Sequence, residues 1–153
     1  MSASLLLATL LILGNPTQAA PGAASPSFNE AVQMATDGRD ADALAAFRQL
    51  AARNPNDREP RLWIARLHER MGNPDLAEPV YRSVLLEDPA SIEAALGVAS
   101  TLLARHEAGE AIDLLTAVEE RAPQNAVVLE LLGRAHRLAG RPARAIDYFE
   151  RAV

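Results

Sequence analysis

Cysteine is absent from the 153 residues, which removes disulfides, thiolate metal sites, cysteine nucleophiles and an acylated lipoprotein cysteine together. Lysine is absent too: all 15 basic side chains are arginine, which codon bias in a GC-rich genome explains more simply than selection for guanidinium chemistry. A basic excess is missing as well. With a formal charge of -5 and a pI near 5.2, the chain lacks the overall attraction that a phosphate backbone rewards, so no nucleic-acid partner is expected. Long apolar runs are wanting: residues 5–13 (LLLATLLIL) give nine residues, against about 20 needed to cross a bilayer. Aromatics make up 4% of the chain, yet 49% is hydrophobic, the composition of an ordinary globular chain with one domain.

The apolar run has a different meaning at the N-terminus. Gly14, Asn15 and Pro16 break any helix, and Thr17-Gln18-Ala19 offers small residues where a signal peptidase reads them. Residues 1–20 therefore resemble a secretory signal peptide, although no Arg or Lys precedes the run. Residues 21–27 (PGAASPS) read as a short flexible linker. Export would leave a periplasmic or secreted protein with no stable membrane insertion after cleavage.

What the chain does contain is a period. Pro55, Pro89 and Pro123 stand 34 residues apart, and so do Ala43, Ala77, Ala111 and Ala145. Gly38, Gly72 and Gly140 keep the same beat, as does the bulky apolar position at Phe47, Tyr81, Leu115 and Phe149. Two or more residue types on one spacing imply a repeated structural unit. Within a unit, apolar residues recur every three or four positions, as in Leu62, Ala65 and Leu67 or Ala77, Val80, Tyr81 and Val84, which predicts two amphipathic helices. Gly72 suits a left-handed helix cap, Asn73 can cap the next helix, and Pro74 fits a first helical position. Small residues at Ala65, Ala99 and Gly133 let paired backbones approach closely.

This pattern resembles the tetratricopeptide repeat family, most clearly at Gly72, Ala77, Tyr81 and Pro89 in one unit and Leu132, Gly133, Gly140, Ala145, Phe149 and Ala152 in another. The resemblance implies an all-α, right-handed α-solenoid of helix-turn-helix units over residues 28–153, with repeats at about 24–57, 58–91, 92–125 and 126–153. Three departures stand out. Glu30 occupies a site where an apolar residue is expected, so the first helix should fray or act as a cap. His106 replaces the turn glycine, and Pro79 lies inside a predicted helix, where it should remove a hydrogen bond and bend the first turns. The fourth unit reaches Val153 before its proline, so its apolar face is expected to be covered by further chain or by another molecule, including end-to-end or C-terminal self-association.

Binding in this family is usually on the concave side, lined by the first helix of each unit. Helical geometry aims Leu62, Trp63, Arg66, Glu69 and Arg70, then Leu96, Ser100 and Leu103, then Glu130, Arg134 and Arg137 at that side. The mixture suits a protein or peptide, with apolar contacts for affinity and guanidinium groups for carboxylates. Trp63 is either an interface anchor or packing against the first unit. The Arg66–Glu69–Arg70 cluster and the Glu130–Arg134 pair are equally readable as a solvated helix face. The Lys and Asn clamp with which some family members hold chaperone tails has no counterpart here, because Lys is absent.

Catalytic signals are thin. His68 and His136 sit two units apart, beyond joint coordination of a metal, and no phosphate-binding glycine loop or nucleophile motif is present. No cofactor, metal or enzymatic activity is expected. The leading expectation is an exported bacterial scaffold that holds a polypeptide partner within an envelope assembly, secretion or polysaccharide-export system. The alternatives are the N-terminal repeat module of a larger enzyme or outer-membrane protein, and a cytoplasmic chaperone adaptor that keeps its N-terminus.

Overall fold

The computed structural model describes residues 26–153; the apolar run, its cleavage site and most of the linker lie outside the described residues. Among the described residues eight α-helices follow one another: α1 (Phe28–Thr36), α2 (Asp40–Arg53), α3 (Arg58–Arg70), α4 (Pro74–Glu87), α5 (Ile92–Ala104), α6 (Ala108–Glu119), α7 (Ala126–Leu138) and α8 (Pro142–Arg151). No strand occurs among the described residues. Each helix packs on its neighbour in sequence, and α5 also touches both α3 and α7. The result is an all-α helical-repeat solenoid whose odd-numbered helices line up along one side.

Two different devices start the helices. The odd-numbered ones begin at side-chain caps: Ser27, Asp57, Ser91 and Asn125 each accept a hydrogen bond from a backbone N–H in the first turn. In α1 the cap is reciprocal, because the Glu30 carboxylate accepts the Ser27 N–H at 2.7 Å. Glu30 thus serves the exposed helix start, while Ala31 and Ala35 supply the buried face, and α1 is a formed helix. The even-numbered helices have no side-chain cap, and Asn73 does not cap α4 as its sequence position promised. Its amide instead donates back to the Met71 carbonyl at 3.4 Å, because the preceding turn already fixes its backbone.

That turn is the same in all four hairpins. Gly72 N–H donates to the Glu69 carbonyl at 2.9 Å and Asn73 N–H to the His68 carbonyl at 2.8 Å, the double bond of a left-handed helix cap. His106 and Glu107 make the equivalent bonds to Leu103 and Leu102 at 3.1 and 2.9 Å. Gly72 has φ +77° and His106 has φ +64°, so the third hairpin holds a side-chain-bearing residue where the others use glycine. Pro79 sits at the sixth position of α4, which nevertheless runs as one helix to Glu87.

The interior is built from the periodic positions. Phe47, Tyr81 and Leu115 are at most 2% exposed, and each fills the space between its hairpin and the next. Burying one such side chain contributes about 1.5–3 kcal/mol. A first cluster joins Ala31, Ala35, Ala43, Leu44 and Phe47 to Leu67, and a second runs from Leu62 through Val98 and Leu102 to Leu132. Backbones are close where the pattern demands it: a Cβ on Gly133 would lie 2.6 Å from the Phe149 ring, and one on Gly97 only 2.3 Å from the Tyr81 ring. Phe149 itself is only partly covered, and Ile146 is 58% exposed, so the outer face of α8 carries apolar surface.

Candidate interaction groove

Three odd-numbered helices frame an open cleft of about 300 Å³, lined by Arg66 and Glu69 from α3, Glu93, Leu96, Gly97 and Ser100 from α5, and Val127, Glu130, Leu131 and Arg134 from α7. Tyr81 from α4 forms its floor. Six of the residues aimed at the concave side by sequence meet here: Arg66, Glu69, Leu96, Ser100, Glu130 and Arg134. A second cleft of about 310 Å³ opens beside it, lined by Leu103, Arg134, Arg137 and Leu138, so Arg134 borders both.

The other three sequence-aimed residues lie elsewhere. Leu62 is 5% exposed and belongs to the core beneath α5. Trp63 stacks on Phe47 with ring centroids 5.2 Å apart and an 8° interplanar angle, and so packs against the first hairpin. Arg70 turns away to pair with the Asp40 carboxylate and donates to the Ala35 carbonyl at 3.0 Å. Its charge ties the second hairpin to the first.

Charges inside the cleft are unevenly committed. Arg66 lies 4.9 Å from the ring centroid of Trp63 on its own helix and 2.5 Å from a Glu93 oxygen in the next repeat, so it joins the two layers. Glu69 accepts a 2.7 Å hydrogen bond from the Tyr81 hydroxyl. Burial pushes the Glu69 carboxyl above its ordinary range, and the bond from Tyr81 pulls it partly back. Burial, then the neighbouring Glu69, raises the Tyr81 phenol, so it stays a neutral donor at physiological pH. Glu130, Arg134 and Arg137 form no ion pair among the described residues, so the helix-internal Glu130–Arg134 pair is not made.

Sequence reasoning missed Tyr81, Glu93, Gly97, Val127 and Leu131. The period itself carried the signal: stepping by 34 residues from Trp63 reaches Gly97 and then Leu131, and from Glu93 it reaches Val127. The periodic bulky apolar position accounts for the Tyr81 ring, which packs on Gly97, but not for its hydroxyl, which reaches the cleft.

The histidines do not gather. His68 and His136 are 6% and 3% exposed, and burial lowers both below the ordinary imidazole value, helped by Arg48 at His68 and by Arg141 and Arg144 at His136. His136 stacks on Tyr148 at 5.2 Å. Among the described residues no group of three or more His, Cys, Asp or Glu side chains is arranged to hold a metal.

The tetratricopeptide repeat profile matches residues 34–100 and 70–135, and a second profile of the same description matches residues 128–153. A solved structure of MamA from Desulfovibrio magneticus RS-1 superposes with a TM-score of 0.75 at 26% identity, covering 82% of this chain and 71% of that one. A thermophilic TPR protein of Thermus thermophilus (TM-score 0.70, 21% identity, 80% of this chain and 69% of that one) shares the fold. So does a tetratricopeptide repeat protein of Parabacteroides merdae (TM-score 0.67, 23% identity, 80% and 48%). No curated protein sequence matches the chain. The profiles and the MamA likeness point to a protein-interaction scaffold. With eight helices in four like hairpins and profile matches reaching from residue 34 to residue 153, the chain belongs to the tetratricopeptide repeat family.

Proposed function

We propose that this protein is a non-enzymatic scaffold that holds a segment of a polypeptide partner in its concave groove. The observation that carries the reading is the convergence of apolar, carboxylate and guanidinium side chains from α3, α5 and α7 on one open cleft. An open trough with Leu96, Tyr81 and several hydrogen-bonding groups accepts an extended chain or a helix. Export, and with it a place in a bacterial envelope assembly, secretion or polysaccharide-export system, is part of the proposal and rests on the sequence of residues 1–20.

A photo-crosslinking residue at Ser100, inside the groove, tests the first point against one at Leu86, which is 86% exposed on α4. Crosslinks to one polypeptide from position 100 and not from position 86 support the groove. Equal labelling from both positions removes it. Mass spectrometry of the protein recovered from its native host tests export: an intact N-terminus ends that part of the proposal.

A further inference from the structure

The outer face of α4 differs from those of its neighbours. Leu76, Pro79 and Leu86 are exposed there, Leu76 to 54% and Leu86 to 86%, with the half-buried Ser83 between Pro79 and Leu86. One period earlier the same positions on α2 hold Asp42, Ala45, Gln49 and Ala52, and one period later those on α6 and its end hold Glu110, Asp113, Ala117 and Glu120, which suit a face in water. The α4 residues are spaced 3, 4 and 3 apart, the a–d–a–d interval of a coiled-coil seam. At 100° per residue the seam lies opposite Tyr81, hence on the far side of α4 from the groove. The charges along its edges are already paired within the chain. Arg82 is held by Glu78 and Glu110 at 2.8 Å each, Asp75 by Arg105 at 2.8 Å, and Glu87 by Arg61 at 2.6 Å.

We propose that this face is the contact between two copies of the chain, which associate weakly, back to back, with their α4 helices antiparallel. Turning one strand round exchanges a with d positions, so Leu76 meets Leu86 of the second copy and Pro79 meets its Ser83. The small serine leaves room for the proline ring, and every contact forms twice about a two-fold axis near Tyr81. A parallel pair would instead set one Pro79 against the other and waste both serines. Edges with no uncompensated charge let the two copies approach without repulsion. One face of one helix falls short of the roughly 800 Å² per partner of a standard interface, so a dissociation constant of about 10–1,000 µM is expected. The dimer turns its two grooves outward and can hold two partner segments at once. The inference is independent of what those grooves bind.

Sedimentation velocity on the full chain, from about 1 µM to about 1 mM, tests the association. The weight-average sedimentation coefficient should climb towards that of a dimer, and Leu86→Glu, with its helical spectrum intact, should weaken the association about tenfold or more. Orientation is read separately. Because the native chain has no cysteine, Leu76→Cys and Leu86→Cys each add a single thiol. A short bismaleimide should link the two variants to each other when they are mixed, and neither to itself. A chain that stays monomeric to about 1 mM, a dimer that Leu86→Glu leaves unchanged, or self-linking of either cysteine variant in place of the mixed product overturns the proposal.

Discussion

His106→Gly should stabilise the protein, although glycine is ordinarily a poor substituent. The left-handed conformation costs a residue with a Cβ about 1–2 kcal/mol, and glycine escapes this cost. Glycine also loses about 0.5–1 kcal/mol more backbone entropy on folding. The native side chain is exposed and makes no hydrogen bond, so its removal forfeits little, and the turn's two backbone bonds are those of the glycine hairpins. The balance is a gain of about 0.5–1 kcal/mol, or a rise of roughly 0.3–0.5 M in urea midpoint with unchanged slope. His106→Ala deletes the imidazole but keeps the strain, and should gain nothing. Gly72→Ala runs the experiment backwards: a Cβ there meets nothing within 4 Å, yet φ +77° makes it costly by about 1 kcal/mol. If the glycine variant at position 106 were no more stable than the native protein, or the alanine variant gained equally, backbone strain would not be the controlling quantity.

Three further expectations follow from the packing and the charges. Gly97→Ala should destabilise by about 1–3 kcal/mol in urea titration, because the new methyl displaces the Tyr81 ring and its bond to Glu69, whereas Gly109→Ala, with open space around it, should be neutral or gain up to about 1 kcal/mol. Stability should fall as pH drops from about 7 towards 5: the unfolded histidines take up protons near pH 6.5, while folded His68 and His136, with lowered pKa values, resist them. Replacing both by Leu, the residue found at the equivalent Leu102, should flatten that slope, and a pH series of urea midpoints that keeps its slope in the double variant refutes the assignment. Glu78, 7% exposed and bridging Arg82 at 2.8 Å and Arg105 at 2.5 Å, should cost about 1–2 kcal/mol when changed to Gln, and an unchanged thermal midpoint would show the bridge to be idle.

The hairpins were legible because the residues that build them have no alternative use. Pro89, Gly72, Ala77 and Tyr81 each answer a local demand of backbone or volume, and the demand recurs at a fixed interval. The cap on α1 is legible too, since Ser27 and Glu30 stand three apart before an apolar run, although the repeat pattern asks for an apolar residue at position 30. The direction of long side chains was not. Arg70 and Arg66 read as partners of Glu69 when only their own helix is considered, yet Arg70 pairs with Asp40, 30 residues earlier, and Arg66 with Glu93 in the next repeat. Such a choice depends on how adjacent layers meet, which no single-helix spacing encodes. Nor did spacing reveal that Trp63 faces Phe47 rather than solvent.

Among the described residues each helix packs chiefly on the helices beside it or one layer away. No segment must wait for a distant part of the chain, so loop-closure entropy stays small at each step. A polypeptide wired in this way can solidify progressively, hairpin upon hairpin, as it is delivered from one end, and it can fray from either tip while the middle holds. The solenoid therefore behaves less like a globule that melts at once than like a zip.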